Sequence, residues 1–480
     1  MHPIAATLCR HSSRGGKQSA IRPVAGSEAQ PRSIGYDPLI PAIGFVLLAV
    51  MAWLYVTGSD LYGRILAYWT FIPWRHPFID FAAIPSFIRC WQRHGLVVYT
   101  DAAWAACGVG PLIYSPLWLR LTFLPTDPAW TNWLGLSVVS AFLLSLGSLP
   151  QSRRSGDRGV TIVGTFSCLP VFAMERANID LLVFLSVVAA AYCLEGGLGR
   201  RIVGYSLMLL GGLLKFYPLV LLVLMLRERL AVLAALGLTA AAIVAGTAFA
   251  FLDELRRLTA PPSGPPFYNL WGAGNLAGGF PTVLRAFMDA AGLPTWLFAS
   301  QAQQRFIAAV VASLLLASML VVALRFARRD DLAAGLTAIS DRAHRLLLMG
   351  GVLVVGCFFA GQNVGYRGVF LLLILPGLLA LARIPACRSL RPVLMVTIGA
   401  MLCVLWELTT RHVVADVFGG SFHPVGGSLA GYTVWLAQEL AWWWLVTVLV
   451  AILMRFAADS QAWRELRSVL YKPSAANGGP

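Results

Sequence analysis

Residues 230–252 read LAVLAALGLTAAAIVAGTAFAFL, an apolar run with no charged or amide side chain. A helix rises about 1.5 Å per residue, so this run is long enough to cross the ~30 Å hydrocarbon core of a bilayer. It has no polar face, unlike the surface helix of a soluble protein. Similar segments lie on both sides of it: 38–57, 131–149, 159–175, 178–195, 201–214 and 216–226 before it, and 305–324, 346–360, 368–382, 392–409 and 432–454 after it. The expectation is an all-α polytopic membrane protein, a bundle of about 12 transmembrane helices. Segments 201–214 and 216–226 are short and meet at Lys215-Phe216-Tyr217-Pro218. Either both tilt or they form a broken hairpin. The stretch 111–124, with Pro111 and Pro116, reads as interfacial.

Composition agrees. The chain is 58% hydrophobic and 12% charged, with a mean hydropathy of +0.72, whereas a soluble domain carries about 25% charged residues. The net charge of +15 does not mark a nucleic-acid partner, because the basic residues sit in short clusters between apolar runs. That distribution belongs to membrane topology. With the N-terminus inside, the inner segments hold 24 of the 37 Lys and Arg, most clearly in Gln151–Arg158 and Arg325–Arg329. Both termini are therefore expected in the cytoplasm. Residues 1–37 read as a disordered basic tail without a cleavable signal peptide, 38–455 as the membrane domain, and 456–480 as a second cytoplasmic tail. Cys168, Cys193, Cys357 and Cys403 lie in apolar runs and read as small core residues. Cys90 and Cys107 share one outer segment, where a single disulfide can form.

Two long outer loops follow from this topology, 58–130 and 253–304. The first holds Tyr62, Tyr68, Trp69, Trp74, Trp91, Tyr99 and Trp104, residues that favour the headgroup zone, so amphipathic helices are expected there. Polar residues collect on the same face. They are Asp80, Glu175-Arg176-Ala177-Asn178-Ile179-Asp180, Lys215-Phe216-Tyr217-Pro218, Asn269 to Asn275, and Gly361-Gln362-Asn363-Val364-Gly365-Tyr366-Arg367. Each alone reads as a polar helix end. Together they predict one outward-opening polar cavity, because charge at membrane depth is costly without a cavity or partner. Lys215 reads as a snorkelling side chain or as a cation for phosphate. Arg367 has the same two readings, with a bidentate grip added. Asp80 reads as the N-cap of a helix or as a carboxylate base. Glu175 and Asp180 read as partners of Arg176, or Asp180 as catalytic.

With these residues in place, the chain resembles the GT-C glycosyltransferases, multispanning enzymes that use polyprenyl-phosphate sugars. Within them it is most similar to glycosyltransferase family 87, which includes polyprenol-phosphate-mannose-dependent α-mannosyltransferases. The resemblance rests on Asp80 with Gly95-Leu96-Val97-Val98-Tyr99, on Ile113-Tyr114-Ser115-Pro116-Leu117-Trp118, and on the Glu175–Asp180, Leu214–Pro218 and Asn363–Arg367 stretches. These span nearly the whole membrane portion. The Asp and the Tyr stand further apart than in many relatives, which keeps Asp60 and Asp101 as alternatives to Asp80.

The resemblance implies a hexosyltransferase of a bacterial inner membrane with a GT-C-like bundle. It would move mannose from a polyprenyl-phosphate donor to a glycolipid or glycan acceptor on the extracytoplasmic face, with inversion. It further implies Asp80 as general base and Lys215, Arg176 and Arg367 around the leaving phosphate. Glu175, Asn178, Asp180, Tyr99, Tyr217, Asn363 and Tyr366 would support or bind substrate, with neither metal nor cofactor. Two other classes share the architecture. A transporter or flippase of lipid-linked saccharides places its binding residues at the midplane, often with internal repeats; here the polar residues crowd one edge and no repeat is visible. A polysaccharide polymerase or ligase places its essential residues in a large late outer loop; here the first loop is the longest.

Overall fold

The computed structural model describes residues 36–470 except 71–75, 128, 153, 259–263, 265, 269, 299 and 420–427. The expected N-terminal tail up to residue 35, residues 471–480, Trp74 and Asn269 therefore lie outside the described residues.

Six helices among the described residues are long and apolar enough to cross a membrane: Leu39–Val56, Ala129–Leu146, Leu230–Ala250, Gln301–Ala327, Asp341–Ala360 and Leu429–Asp459. A seventh is added if Arg391–Leu405 and Glu407–Phe418, bent by 67°, form one broken span. This fits a helical membrane protein and corrects the expected count of twelve. The causes are local. Run 159–175 breaks into Ser155–Thr165 and Cys168–Glu175. Run 178–195 yields Ile179–Cys193, only about 22 Å long at 1.5 Å per residue. Run 201–214 lies in Leu198–Lys215, which carries Arg200, Arg201 and Lys215. Run 216–226 winds as the 3₁₀ helix Tyr217–Arg227, and run 368–382 begins as the 3₁₀ turn Gly365–Phe370 before Leu371–Leu381. Hydropathy does not separate a helix that is apolar because it faces lipid from one that is apolar because protein surrounds it. Ile179–Cys193 and Leu371–Leu381 are of the second kind, with most of their side chains buried.

Asp341–Ala360 forms the centre of the bundle, 67% buried, while Leu230–Ala250 is 6% buried and lies at the edge. The central helix packs on Leu371–Leu381, Leu429–Asp459 and Tyr217–Arg227. Small residues let the backbones approach, as is common in membrane bundles: a Cβ on Gly350 would come within 2.7 Å of Ile374, and one on Gly377 within 2.7 Å of Leu347.

The first loop folds as expected into short helices, Asp60–Trp69, Ile79–His94 and Ala102–Cys107. Ile79–His94 is amphipathic: it buries Phe81, Ile84, Pro85, Phe87 and Ile88 along one side. Ile84, Phe87 and Ile88 join Tyr99, Leu112 and Trp118 in a small core, while Phe81 packs into the main one. The stretch 111–124 contributes only the 3₁₀ turn Pro116–Arg120. A Cys90–Cys107 disulfide, Cα–Cα 5.6 Å, closes this unit, and a loop of that size adds about 3 kcal/mol by restricting the unfolded chain. Beyond Asp459, the expected second tail opens with a helix, Gln461–Leu470.

Candidate functional site

Three sharp chain reversals bring the polar clusters together. The helix Cys168–Glu175 ends in a paired-bond turn: Asn178 N–H donates to Ala173 C=O (3.0 Å) and Ala177 N–H to Met174 C=O (2.9 Å). This motif needs a left-handed residue, usually Gly, and here it is Ala177 at φ 42°. Asn178 then caps the next helix, its Oδ1 accepting from Asp180 N–H at 2.9 Å. Phe216, at φ 61°, turns the chain after Lys215. Phe78, also at φ 61°, starts the Asp80 helix and donates its N–H to Glu175 C=O at 2.7 Å. These three are the non-glycine residues with positive φ among those described. Each lies within two residues of a charged side chain of one network. A strained backbone of this kind costs about 1–3 kcal/mol per residue and concentrates at functional sites.

Asn178 is the hub. Its Nδ2 donates to Asp80 Oδ2 at 2.6 Å, and its Oδ1 also accepts from Lys215 Nζ at 2.9 Å. Lys215 Nζ lies 2.6 Å from Asp180 Oδ1, which also accepts from the Tyr217 hydroxyl at 2.5 Å. Arg367 Nε is 3.8 Å from Asp180 Oδ2, and its Nη1 donates to Asn363 Oδ1. Arg176 is 2.9 Å from Glu175 and 3.6 Å from Asp80 Oδ1. The Tyr366 and Tyr114 rings stand 5.7 and 5.6 Å from Lys215 Nζ. The network thus holds three carboxyls and three basic side chains, balanced when all are ionised. Asp80 keeps 21% side-chain exposure, against 4% for Glu175 and 0% for Asp180. It is the carboxyl that an incoming molecule can reach.

Asp80 does not cap its helix as one of its two readings expected. Phe78 holds the N-cap position, and Asp80 sits in the first turn with its carboxylate turned to Asn178 and Arg176. Burial pushes its carboxyl above the ordinary carboxylate value, while Arg176 and Asn178 pull it back down. Asp60 and Asp101 are both exposed, at the starts of other helices. Tyr99 stands apart in the first-loop core, edge-on to Trp91. No group of three or more His, Cys, Asp or Glu among the described residues is placed to hold a metal ion.

A second buried polar network adjoins the first; sequence reasoning singled out its Asn275 and Gln362 and missed Glu407, Arg411, Gln438 and Glu439. Arg411 pairs with Glu407, donates to Gln438 Oε1 at 2.9 Å and to Phe267 C=O at 3.1 Å. Gln438 returns a bond to Glu407 C=O at 3.2 Å. Glu439, buried in Leu429–Asp459, meets Asn275 Nδ2 at 3.4 Å, and Asn275 accepts from Gln362 at 2.9 Å. A two-residue antiparallel ladder, Leu270–Trp271 with Asn363–Val364, joins the two networks. Gly272, at φ 150°, lets the two strands approach: a Cβ there would meet Gly361 O at 2.4 Å. The overlooked signal was the same one that drew attention to Lys215, a charge (Glu439) inside an apolar run.

Comparison of the chain with models of known families, with curated proteins and with solved structures finds no match.

Proposed function

We propose that this protein is a membrane glycosyltransferase that moves a hexose, mannose by the resemblance, from a polyprenyl-phosphate donor to an acceptor hydroxyl with inversion. The observation that carries this reading is Asp80: a partly open carboxylate held 3.6 Å from Arg176 and bonded to Asn178, with Lys215 and Arg367 in the same network. In the reaction the acceptor oxygen forms a bond to C1, the C1–O bond to phosphate breaks, and the electron pair leaves on the phosphate. Asp80 takes the acceptor proton. The phosphate gains one negative charge as the protein network gains one positive charge, so the balance of the buried site is kept. Arg176, Lys215 and Arg367 supply the preorganised field for the leaving group.

The disulfide in the first loop supports placing this end of the bundle on the oxidising, extracytoplasmic side. The Lys and Arg distribution supports cytoplasmic termini in a bacterial inner membrane. The test uses purified protein in nanodiscs with radiolabelled polyprenyl-phosphate mannose and a mixed glycolipid extract. Transfer by wild type, lost in Asp80→Asn with donor binding intact, is the expected result. Transfer that survives in Asp80→Asn moves the base to Asp60, Asp101 or Asp180. Binding without transfer, for every polyprenyl-phosphate sugar tried, would overturn the enzyme reading in favour of a transporter.

A further inference from the structure

The end of the bundle opposite Asp80 holds a cavity of about 390 Å³. Two helices run from one end to the other. Ile179–Cys193 starts beside Asn178 and leads to Leu194 in the cavity wall, and Asp341–Ala360 starts at the cavity and ends before Asn363. The shorter spans about 22 Å. Its lining combines apolar Leu348 and Phe456 with Arg227, Arg345, Arg464 and His344.

The positive charge there is only partly neutralised. Arg227 and Arg464 have no ion pair among the described residues. Arg345 shares the single carboxylate of Glu195, at 2.7 Å, with Arg342 at 3.0 Å. Of the two acids that line the cavity, Asp459 is taken up by Arg455 at 2.6 Å, and Asp341, with 93% side-chain exposure, lies 4.0 Å from Arg345 Nη1. Two buried nitrogens, Arg345 Nε and His344 Nε2, lack hydrogen-bond partners. Buried polar atoms are normally satisfied, so an orphaned pair beside spare guanidinium groups marks a place for an acceptor-rich ligand. Planar guanidinium groups grip phosphate oxygens in pairs.

We propose that this cavity binds a phosphate group, through Arg227, Arg345 and Arg464, at the membrane face opposite the Asp80 network. The apolar part of the lining suits acyl chains below a phosphodiester headgroup, and the same guanidinium groups suit a free phosphate. The proposal stands independently of the transferase reading.

The test compares wild type, Arg227→Gln/Arg464→Gln, Arg464→Gln alone and Arg229→Gln, an exposed arginine outside the cavity wall. Native mass spectrometry counts phosphatidylglycerol against phosphatidylcholine retained from mixed micelles, and thermal unfolding is followed with added inorganic phosphate. The expected result is preferential binding of one phosphate source by wild type and by Arg229→Gln. It should weaken at least about tenfold in the double variant, because charge-assisted bonds are lost. Preference for phosphatidylglycerol alone identifies a lipid headgroup, and a response to inorganic phosphate identifies a soluble ligand. Arg464→Gln lies on an exposed helix face and decides the matter if the double variant fails to fold. Equal retention of the two lipids by wild type without a response to inorganic phosphate, or binding unchanged in Arg464→Gln, would overturn the proposal.

Discussion

Two buried polar networks share one end of this bundle and are built differently. The Asp80 network is balanced in charge, joins three strained turns and leaves one carboxyl partly open. In the Glu407–Arg411 network Asn275, Glu407, Arg411, Gln438 and Glu439 are each 5% exposed or less, and it carries one more acid, Glu439, than base. The first has the makings of a reaction site. The second holds the late helices against the ladder that ends at Asn363. Burial alone therefore does not distinguish a site from a strut. On the proposed function, access and backbone strain do.

The strongest break in the comparison comes from paired variants. Asp80→Asn should cost about 10²- to 10⁴-fold in transfer rate, the range for a general base, and Glu439→Gln should leave the rate near wild type. Equal losses in a radiolabel assay would make the two networks one site. The pH profile sharpens the same contrast. A base works when ionised, so the rate should rise with pH through a midpoint above the ordinary carboxylate value, because burial raises Asp80. The folded state also holds this proton more tightly than the unfolded chain. Stability should therefore fall as pH rises through the interval between the ordinary and the raised value. Unfolding temperatures of Asp80→Asn should lack that slope.

Arg411→Met should show the opposite pattern, a loss of about 3–5 kcal/mol in stability from a buried Glu407 left alone. Denaturation in detergent measures it, and the Glu407→Gln/Arg411→Met double variant should recover part of the loss. Gly272→Ala probes the ladder between the networks. Strain and the contact with Gly361 should cost about 1–3 kcal/mol and disturb Asn363 and Arg367, seen as a weaker grip on the donor. The smallest effect is a gain: Ala177→Gly relieves a left-handed alanine and should add about 1 kcal/mol. A loss of stability would mean that the Ala177 methyl packing outweighs its backbone strain.

The first network was legible because its charges interrupt apolar runs: Lys215 between two of them, Asp180 inside another. Their meeting could be guessed from helix ends alternating between faces. The second network was legible only in part: Asn275 and Gln362 stood out as polar residues, and Glu439, a charge inside an apolar run, was overlooked. In Trp406–Arg411 the Glu407–Arg411 pair looks like an ordinary helix end. The fold was read at the level of all-α membrane architecture. The helix count was overestimated because the buried Ile179–Cys193 and Leu371–Leu381 are as apolar as the edge helix Leu230–Ala250.

That edge helix is exposed along most of its length, as a helix facing lipid would be. Its 21 residues extend about 32 Å, close to the thickness of ordinary acyl layers, and a thinner layer would make it lean. One end follows Glu228, fixed by Arg201 and Tyr205. The other runs on into Leu252–Arg257, where Glu254 grips Arg120 at 2.9 Å. Arg120 in turn lies over Trp91, beside the cystine that closes the Asp80 platform. A chain of contacts thus ties the rim of the bundle, where membrane thickness acts on a span, to the unit that carries Asp80.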